Sequence, residues 1–203
     1  MFNIRLIKPE DCGKVLDVYR PYVEETAYTF EYEVPTIEDF SKKIEKITAQ
    51  YPWLVCEYNG EIVGYAYGST HRERIAYQWS VESTIYMNRQ YHRKGIARIL
   101  YDTLFKILRE QGYFSVYAGV LATNNESVQF HKAVGFEEIG LFKNIGYKLE
   151  EWHTNLWLQY FLQEHIAAPP VLKTISSLAG TGFLKSTLEE ANRKLMRLNS
   201  DIS

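Results

Sequence analysis

The stretch that decides the fold runs from Tyr77 to Gly112 and reads YQWSVESTIYMNRQYHRKGIARILYDTLFKILREQG. Its first part, Tyr77 to Met87, has the alternation of a strand. Trp79, Val81, Ser83, Ile85 and Met87 share one face, and Ser80, Glu82, Thr84 and Tyr86 share the other. Its last part has helical spacing. Ile96, Leu100, Leu104 and Leu108 mark one face with Ile107 beside it, and Gly112 stands where a left-handed residue ends a helix. Polar residues Asn88 to Lys94 lie between the two, with Gly95 at the junction. Such a junction exposes unpaired backbone N–H groups at the positive end of the helix dipole, which makes it an anion site. Glycine lets the backbone come close to a phosphate. Arg89, His92, Arg93, Lys94 and Arg98 gather positive charge around it. Taken alone, one glycine does not separate a phosphate cradle from a solvated basic turn.

Upstream, Asn3 to Ile7 reads as a strand, and Pro9-Glu10-Asp11 opens a helix carrying Val15, Val18, Tyr19 and Tyr22 at helical spacing. Thr26 to Val34 holds strand-forming residues without a helix pattern. Thr36 and Asp39 resemble a capping box for a helix over 37–50. Trp53 to Tyr58 and residues 61–69 read as two strands joined by Asn59-Gly60, a pair that tolerates the positive φ of a tight hairpin. Downstream, Phe114 to Leu121 is a strand, and Asn124 or Asn125 starts a short helix ending near Gly135. Phe136 to Phe142 and Glu151 to Phe161 are the last strands. The order β-α-α-β-β-β-α-β-α-β-β predicts an α/β fold with a mixed, mostly antiparallel central sheet flanked by helices.

After His165 the texture changes. Residues 1–165 read as one domain, and 166–203 as a linker plus a C-terminal helical extension. Ala167-Ala168-Pro169-Pro170 is linker-like and 171–183 is weakly patterned. Ser186-Thr187-Leu188-Glu189 looks like a capping box for an amphipathic helix over 186–199. That helix either packs on its own domain or meets a second subunit.

Composition narrows the class. The chain has 203 residues, 46% hydrophobic and 24% charged, as a soluble globular protein has. A net charge of −2 gives no electrostatic case for nucleic acid or an anionic membrane. No apolar run is long enough for a membrane helix, and Met1 to Arg5 lacks the plan of a signal peptide. Cys12 and Cys56 form neither a metal motif nor a disulfide framework, so a reducing cytoplasm is expected and no metal. Other phosphate motifs fail. A dinucleotide fingerprint needs three glycines where only Gly95 stands, and Gly182-Phe183-Leu184-Lys185-Ser186 misplaces the glycine of a Walker loop.

The segment His92-Arg93-Lys94-Gly95-Ile96-Ala97 resembles the acyl-CoA loop of the GNAT N-acetyltransferase superfamily, Arg/Gln-x-x-Gly-x-Gly/Ala. It departs from that pattern at His92. Asn124-Asn125-Glu126-Ser127 followed by Gly135-Phe136 is similar to that superfamily's Asn-x-x-Ser and Gly-Phe segment. Tyr51 to Val55, Ala76 to Thr84 and Trp152 to Trp157 resemble the phosphinothricin N-acetyltransferase subfamily, which acetylates the α-amine of glutamine-like analogues such as methionine sulfoximine and methionine sulfone. The resemblance covers about residues 3–163. It implies a GNAT-like fold, acetyl-CoA as co-substrate, a small-molecule amine as acceptor and a homodimer. It also implies that Arg93, Lys94, Gly95, Ile96, Ala97 and Arg98 hold the pyrophosphate. Asn124, Ser127 and His131 would meet the pantetheine arm, and Ile85, Tyr86 and Met87 would offer backbone groups from a splayed strand.

Amide formation needs a base for the ammonium, donors for the developing oxyanion and a route for the leaving thiolate. Glu82 is the candidate base. A carboxylate in mid-strand among apolar neighbours is costly unless it is paired or used, and the residues alone leave a salt-bridged structural glutamate equally open. The resemblance of Val81-Glu82-Ser83-Thr84 to the subfamily implies the base. His153 reads either as a core histidine or, by resemblance of Trp152-His153, as a group that orients the amine or assists proton transfer. His131 is either the acid near the leaving sulfur or a partly exposed helix residue. Arg74, with Arg72 as alternative, is placed by the resemblance to hold a substrate carboxylate through paired hydrogen bonds. Phe30, Tyr32 and Trp79 wall the acceptor pocket in this reading, with core packing as the alternative. Other amines (a polyamine, an antibiotic, a protein N-terminus) and a non-catalytic acyl-CoA-binding module stay open.

Overall fold

Local chemistry sets most of the element ends. Thr36 Oγ1 accepts from the N–H of Asp39 and starts a helix. Asn124 Oδ1 accepts from the N–H of Ser127 and starts another. Gly112 and Gly135 take left-handed φ values of 100° and 113° and end the helices before them. The computed structural model describes residues 1–202, and side chains to Leu198. Its elements are β1 (Phe2–Leu6), α1 (Cys12–Glu25), α2 (Ile37–Thr48), β2 (Trp53–Tyr58), β3 (Glu61–Thr70), β4 (Ser80–Met87), α3 (Ile96–Gln111), β5 (Ser115–Leu121), α4 (Asn125–Val134), β6 (Glu137–Lys148), β7 (Glu151–Phe161), α5 (Ile175–Ala179) and α6 (Gly182–Ile202).

Seven strands form one sheet in the order β1-β2-β3-β4-β5-β7-β6. Every pair is antiparallel except β4 with β5. A βαβ connection through α3 requires that exception. Two apolar layers cover the faces. One holds Val15, Tyr19, Tyr22 and Phe40 of α1 and α2 against Trp53, Tyr65 and Tyr67. The other holds Leu100, Leu104 and Leu108 of α3 against Leu54, Ala66 and Val116.

Residues 26–34 form an irregular loop, in line with an element order that places no strand between the first two helices. Three expectations need correction. The strand read from Tyr77 begins at Ser80, because Ile75–Tyr77 closes as a 3-10 turn. The strand read over 136–142 runs on to Lys148, with register shifts between Glu138 and Gly140 and between Phe142 and Gly146. The last helix begins at Gly182, so Ser186 is internal and its hydroxyl donates to the Phe183 carbonyl instead of capping. Within the weakly patterned stretch, Thr174 caps α5.

The extension packs on its own domain. Ile175, Leu178, Leu184, Ala191 and Leu195 are buried in the α3 layer. Gln111, fully buried, donates to the carbonyls of Gln50 and Lys173 and ties the linker down.

Candidate active site

β4 and β5 pair only at Ser80 with Ser115, Val81 with Val116 and Glu82 with Tyr117. Beyond Glu82 they part. β4 continues against β3 to Met87, and β5 continues against β7 to Leu121. The Asn88 N–H donates to the Val63 carbonyl at 2.8 Å. Bonded residues alternate along an antiparallel ladder, so Thr84 and Tyr86 turn their peptide groups to β3. Ser83, Ile85 and Met87 turn theirs into the wedge. Of the three residues expected to offer backbone groups, Ile85 turns its N–H and C=O into the wedge and Met87 its N–H. The Tyr86 peptide faces β3, and the Met87 carbonyl is already bonded by the Tyr22 hydroxyl and by His92 Nε2. His92, the departure from the acyl-CoA pattern, is thereby fixed under the end of β4.

The wedge opens into a cavity of about 660 Å³. Ile85, Tyr86 and Met87 form one wall, and Asn124, Ser127 and His131 face them. The loop Arg93-Lys94-Gly95-Ile96-Ala97-Arg98 closes the end. Gly95 has φ 75° and no side chain caps α3. The first bond of the helix runs from the Ile99 N–H to the Gly95 carbonyl. The N–H groups of the first turn are therefore left to a ligand at the positive end of the dipole. Side chains contribute less, since most are engaged. Arg93 pairs with Glu126 at 2.5 Å, Arg98 bonds Asp102 and the Ala133 carbonyl, and Lys94 lies 5.0 Å over the Tyr91 ring. An uncapped helix start and an unladdered strand edge on one cavity fit a pyrophosphate joined to an extended amide-bearing arm.

His131 is buried, which corrects the partly exposed alternative. Its Nδ1–H donates to the Ser127 carbonyl at 2.8 Å, so Nε2 accepts from the Tyr101 hydroxyl at 3.0 Å, which in turn accepts from Ser83 Oγ. Burial pushes its pKa down to about 4. The imidazole is neutral at neutral pH and its one N–H is committed, so it has no proton to give a leaving thiolate.

The remaining residues lie on the α1–α2 face of the sheet. Glu82 sits at the last β4–β5 pair, with Oε1 2.9 Å from His71 Nδ1. His71 stacks on Tyr117 at 4.4 Å between centroids. His153 Nε2 donates to the Lys148 carbonyl at 2.8 Å, and its ring lies parallel to Phe30. Phe30 presses on Gly146, where an added Cβ would come within 2.4 Å of the ring. Lys148 is buried, with Nζ donating to the carbonyls of Val23 and Thr29. Burial lowers its pKa, against the charge of Glu31. Lys148, Phe30 and His153 thus pin the 26–34 loop to the β6–β7 hairpin. Arg74 is exposed beside the 3-10 turn, and its guanidinium has no hydrogen-bond or ion-pair partner among the described residues. Trp79 is not gathered into this face: its indole N–H donates to the Pro170 carbonyl of the linker. Sequence reasoning missed His71, Tyr117 and Lys148. The only signal for His71 was a histidine in a turn, which is ordinarily solvated.

Among the described residues, no group of three or more His, Cys, Asp or Glu side chains is placed to hold a metal ion, and no helix is long and apolar enough to cross a membrane.

Comparison with known proteins agrees with this geometry. A phosphinothricin N-acetyltransferase of Streptomyces viridochromogenes is 34% identical over 83% of this chain and 91% of its own. An L-methionine sulfoximine/L-methionine sulfone acetyltransferase of Salmonella typhimurium is 28% identical over 81% of this chain and 97% of its own. The structure of a GNAT superfamily phosphinothricin acetyltransferase from Sinorhizobium meliloti in complex with acetyl-CoA matches with TM-score 0.80 and 29% identity, over 86% of this chain and 95% of that one. The family model for an acetyltransferase (GNAT) domain matches residues 4–157, and the chain belongs to that family.

Proposed function

We propose that the protein transfers an acetyl group from acetyl-CoA to the α-amine of a small amino acid or of a glutamine or methionine analogue, of the phosphinothricin, methionine sulfoximine or methionine sulfone type. The observation that carries this reading is the position of Glu82. It stands at the fork where β4 leaves β5, on the acceptor face, with the wedge immediately beyond. Acetyl-CoA supplies the activated thioester carbonyl. The open N–H groups at the start of α3 hold its pyrophosphate, and the Ile85 peptide offers a donor to the carbonyl oxygen. Asn124 Oδ1 is used in capping α4, and its Nδ2 has no partner among the described residues, so it is free for the amide-bearing arm. Glu82 accepts the ammonium proton, so that a neutral amine attacks. Arg74, with an unengaged guanidinium, suits the substrate carboxylate. Phe30 and His153, stacked on each other, shape one wall of the acceptor site in this reading, and the N–H of His153 is committed to the Lys148 carbonyl. The charge of Glu31 is met by Lys148, which favours a zwitterionic acceptor over a polycation.

The test is thiol release from acetyl-CoA with phosphinothricin, methionine sulfoximine, methionine sulfone and polyamines. Turnover on the amino-acid analogues is expected. Preference for a polyamine, or binding of acetyl-CoA without turnover on any amine, would replace this reading. Glu82→Gln should lower kcat by about 10²–10⁴-fold while leaving acetyl-CoA binding intact.

A homodimer belongs to the same reading. β6 is an edge strand and exposes Ile139, Leu141, Phe142, Ile145 and Tyr147, and Trp152 of β7 is 64% exposed beside it. An exposed apolar edge is a template for a second chain. Cys12 and Cys56 are free and buried, as suits a reducing cytoplasm.

A further inference from the structure

We propose that His71 is a positioning residue for the acetyl transfer: it fixes the Glu82 carboxylate and, through its own charge, decides whether Glu82 can take a proton. This rests on Glu82 being the base.

His71 follows β3 directly, and the 3-10 turn Ile75–Tyr77 folds the connection back to β4. This brings Nδ1 within 2.9 Å of Glu82 Oε1. The His71 side chain is 11% exposed and that of Glu82 is 34% exposed, so the imidazole lies behind the carboxylate. Glu82 Oε2 has no partner among the described residues and is the oxygen left for an ammonium.

The ring is held from three sides. Tyr117 of β5 stacks on it with an interplanar angle of 11°. Trp157 of β7 and Tyr77 of the turn meet its edge at 5.8 and 6.3 Å. A ring locked by aromatic contacts delivers its hydrogen bond in one direction. An ionised carboxylate only accepts, so Nδ1 carries the hydrogen, and Nε2 has no partner among the described residues.

Neutral His71 therefore orients Glu82 and leaves its charge available to the substrate. An imidazolium at the same place opposes proton uptake by Glu82. In the transfer, an N–H bond of the ammonium breaks and an O–H bond forms at Oε2, while His71 neither gains nor loses a proton. The titratable groups facing the ring are Glu82 from β4, Tyr117 from β5 and Tyr77 from the turn. The Arg72 guanidinium lies 5.7 Å from the Tyr77 ring, and β7 presents only Trp157. The test therefore compares pH profiles with and without an ionisable side chain at position 71.

Two variants test this. His71→Asn keeps a donor at the place of Nδ1 without titrating. His71→Phe keeps the stack on Tyr117 without a donor. Steady-state kinetics across pH should show His71→Asn within about threefold of native kcat on the alkaline side, with activity extending to lower pH. His71→Phe should lose about tenfold or more in kcat with the KM for acetyl-CoA unchanged, and should add no loss in a Glu82→Gln background. A His71→Phe enzyme whose kcat and pH profile match native, or whose loss adds in full to that of Glu82→Gln, overturns the inference and leaves acetyl transfer standing. A native enzyme that acetylates no amine removes both.

Discussion

At His131, between the Ser127 carbonyl and the Tyr101 hydroxyl, burial sets both chemistry and stability. With a native pKa of about 4 and an ordinary value of 6.5, the unfolded chain binds a proton that the folded chain refuses. The sign follows: the contribution is whole above about pH 6.5 and is lost as pH falls toward 4. The loss is on the order of 3 kcal/mol, from 1.36 kcal/mol per pKa unit. Urea unfolding of the native chain should lose stability over that range, and His131→Gln should flatten the slope. A native slope equal to that of the variant would remove His131 as its source. Residues differ in how far the sequence reveals them. Glu82 stands out in the sequence as a carboxylate in mid-strand, and the resemblance of Val81-Glu82-Ser83-Thr84 to the subfamily points to a base there. His71 is not legible in this way, because its bond to Glu82 depends on how the connection from His71 to Trp79 folds back between β3 and β4. Trp79 shows the converse: its face follows from alternation only if the strand includes it, and the strand starts one residue later, at Ser80, behind the 3-10 turn.

The start of α3 joins the same questions at the scale of an element. Gly95 has φ 75°, and a Cβ there would meet Leu198 Cδ1 at 3.2 Å. A left-handed L-residue costs roughly 1–2 kcal/mol, and displacing the loop tilts the N–H groups that form the cradle. Gly95→Ala should therefore raise the KM for acetyl-CoA by about tenfold or more, since 1.4 kcal/mol is a factor of ten. Arg93→Ala should change it by less than about threefold, because an exposed pair such as Arg93 with Glu126 contributes little. The reverse order would show that side chains hold the pyrophosphate. Element ends were legible wherever one side chain or one φ decides them, as at Thr36, Asn124, Gly112 and Gly135. They were not where packing decides. The Ser186 box is overridden because Leu184 is buried and draws the helix back to Gly182. β6 outran its pattern because its bulges break the alternation and its side chains are exposed.

Across the whole molecule, the sheet has two edges, and the chain treats them differently. α6 lies along β1, where Asn192 accepts from the Ile4 N–H at 2.6 Å and donates to the Ile4 carbonyl at 3.0 Å. One amide side chain thus stands in for a neighbouring strand. β6, at the other edge, pairs with no strand beyond β7 among the described residues and presents apolar side chains. Free edges recruit strands, so the proposed homodimer is expected to form at β6 and not at β1. The two edges make separable predictions. Replacing Leu141 and Phe142 by lysine should convert a dimer to monomer in sedimentation or light scattering while the monomer stays folded. A native mass that is monomeric at every concentration would sink the dimer. Asn192→Ala should leave the dimer intact and act on stability alone. It strips two peptide groups of their partners at a partly buried edge, and one lost partner costs about 1–3 kcal/mol. The melting temperature should fall accordingly, and because α6 also brings Leu198 against Gly95, saturating acetyl-CoA should recover part of the loss by binding only the folded chain. An Asn192→Ala chain that melts with the native one would mean that α6 is held by its apolar stripe alone.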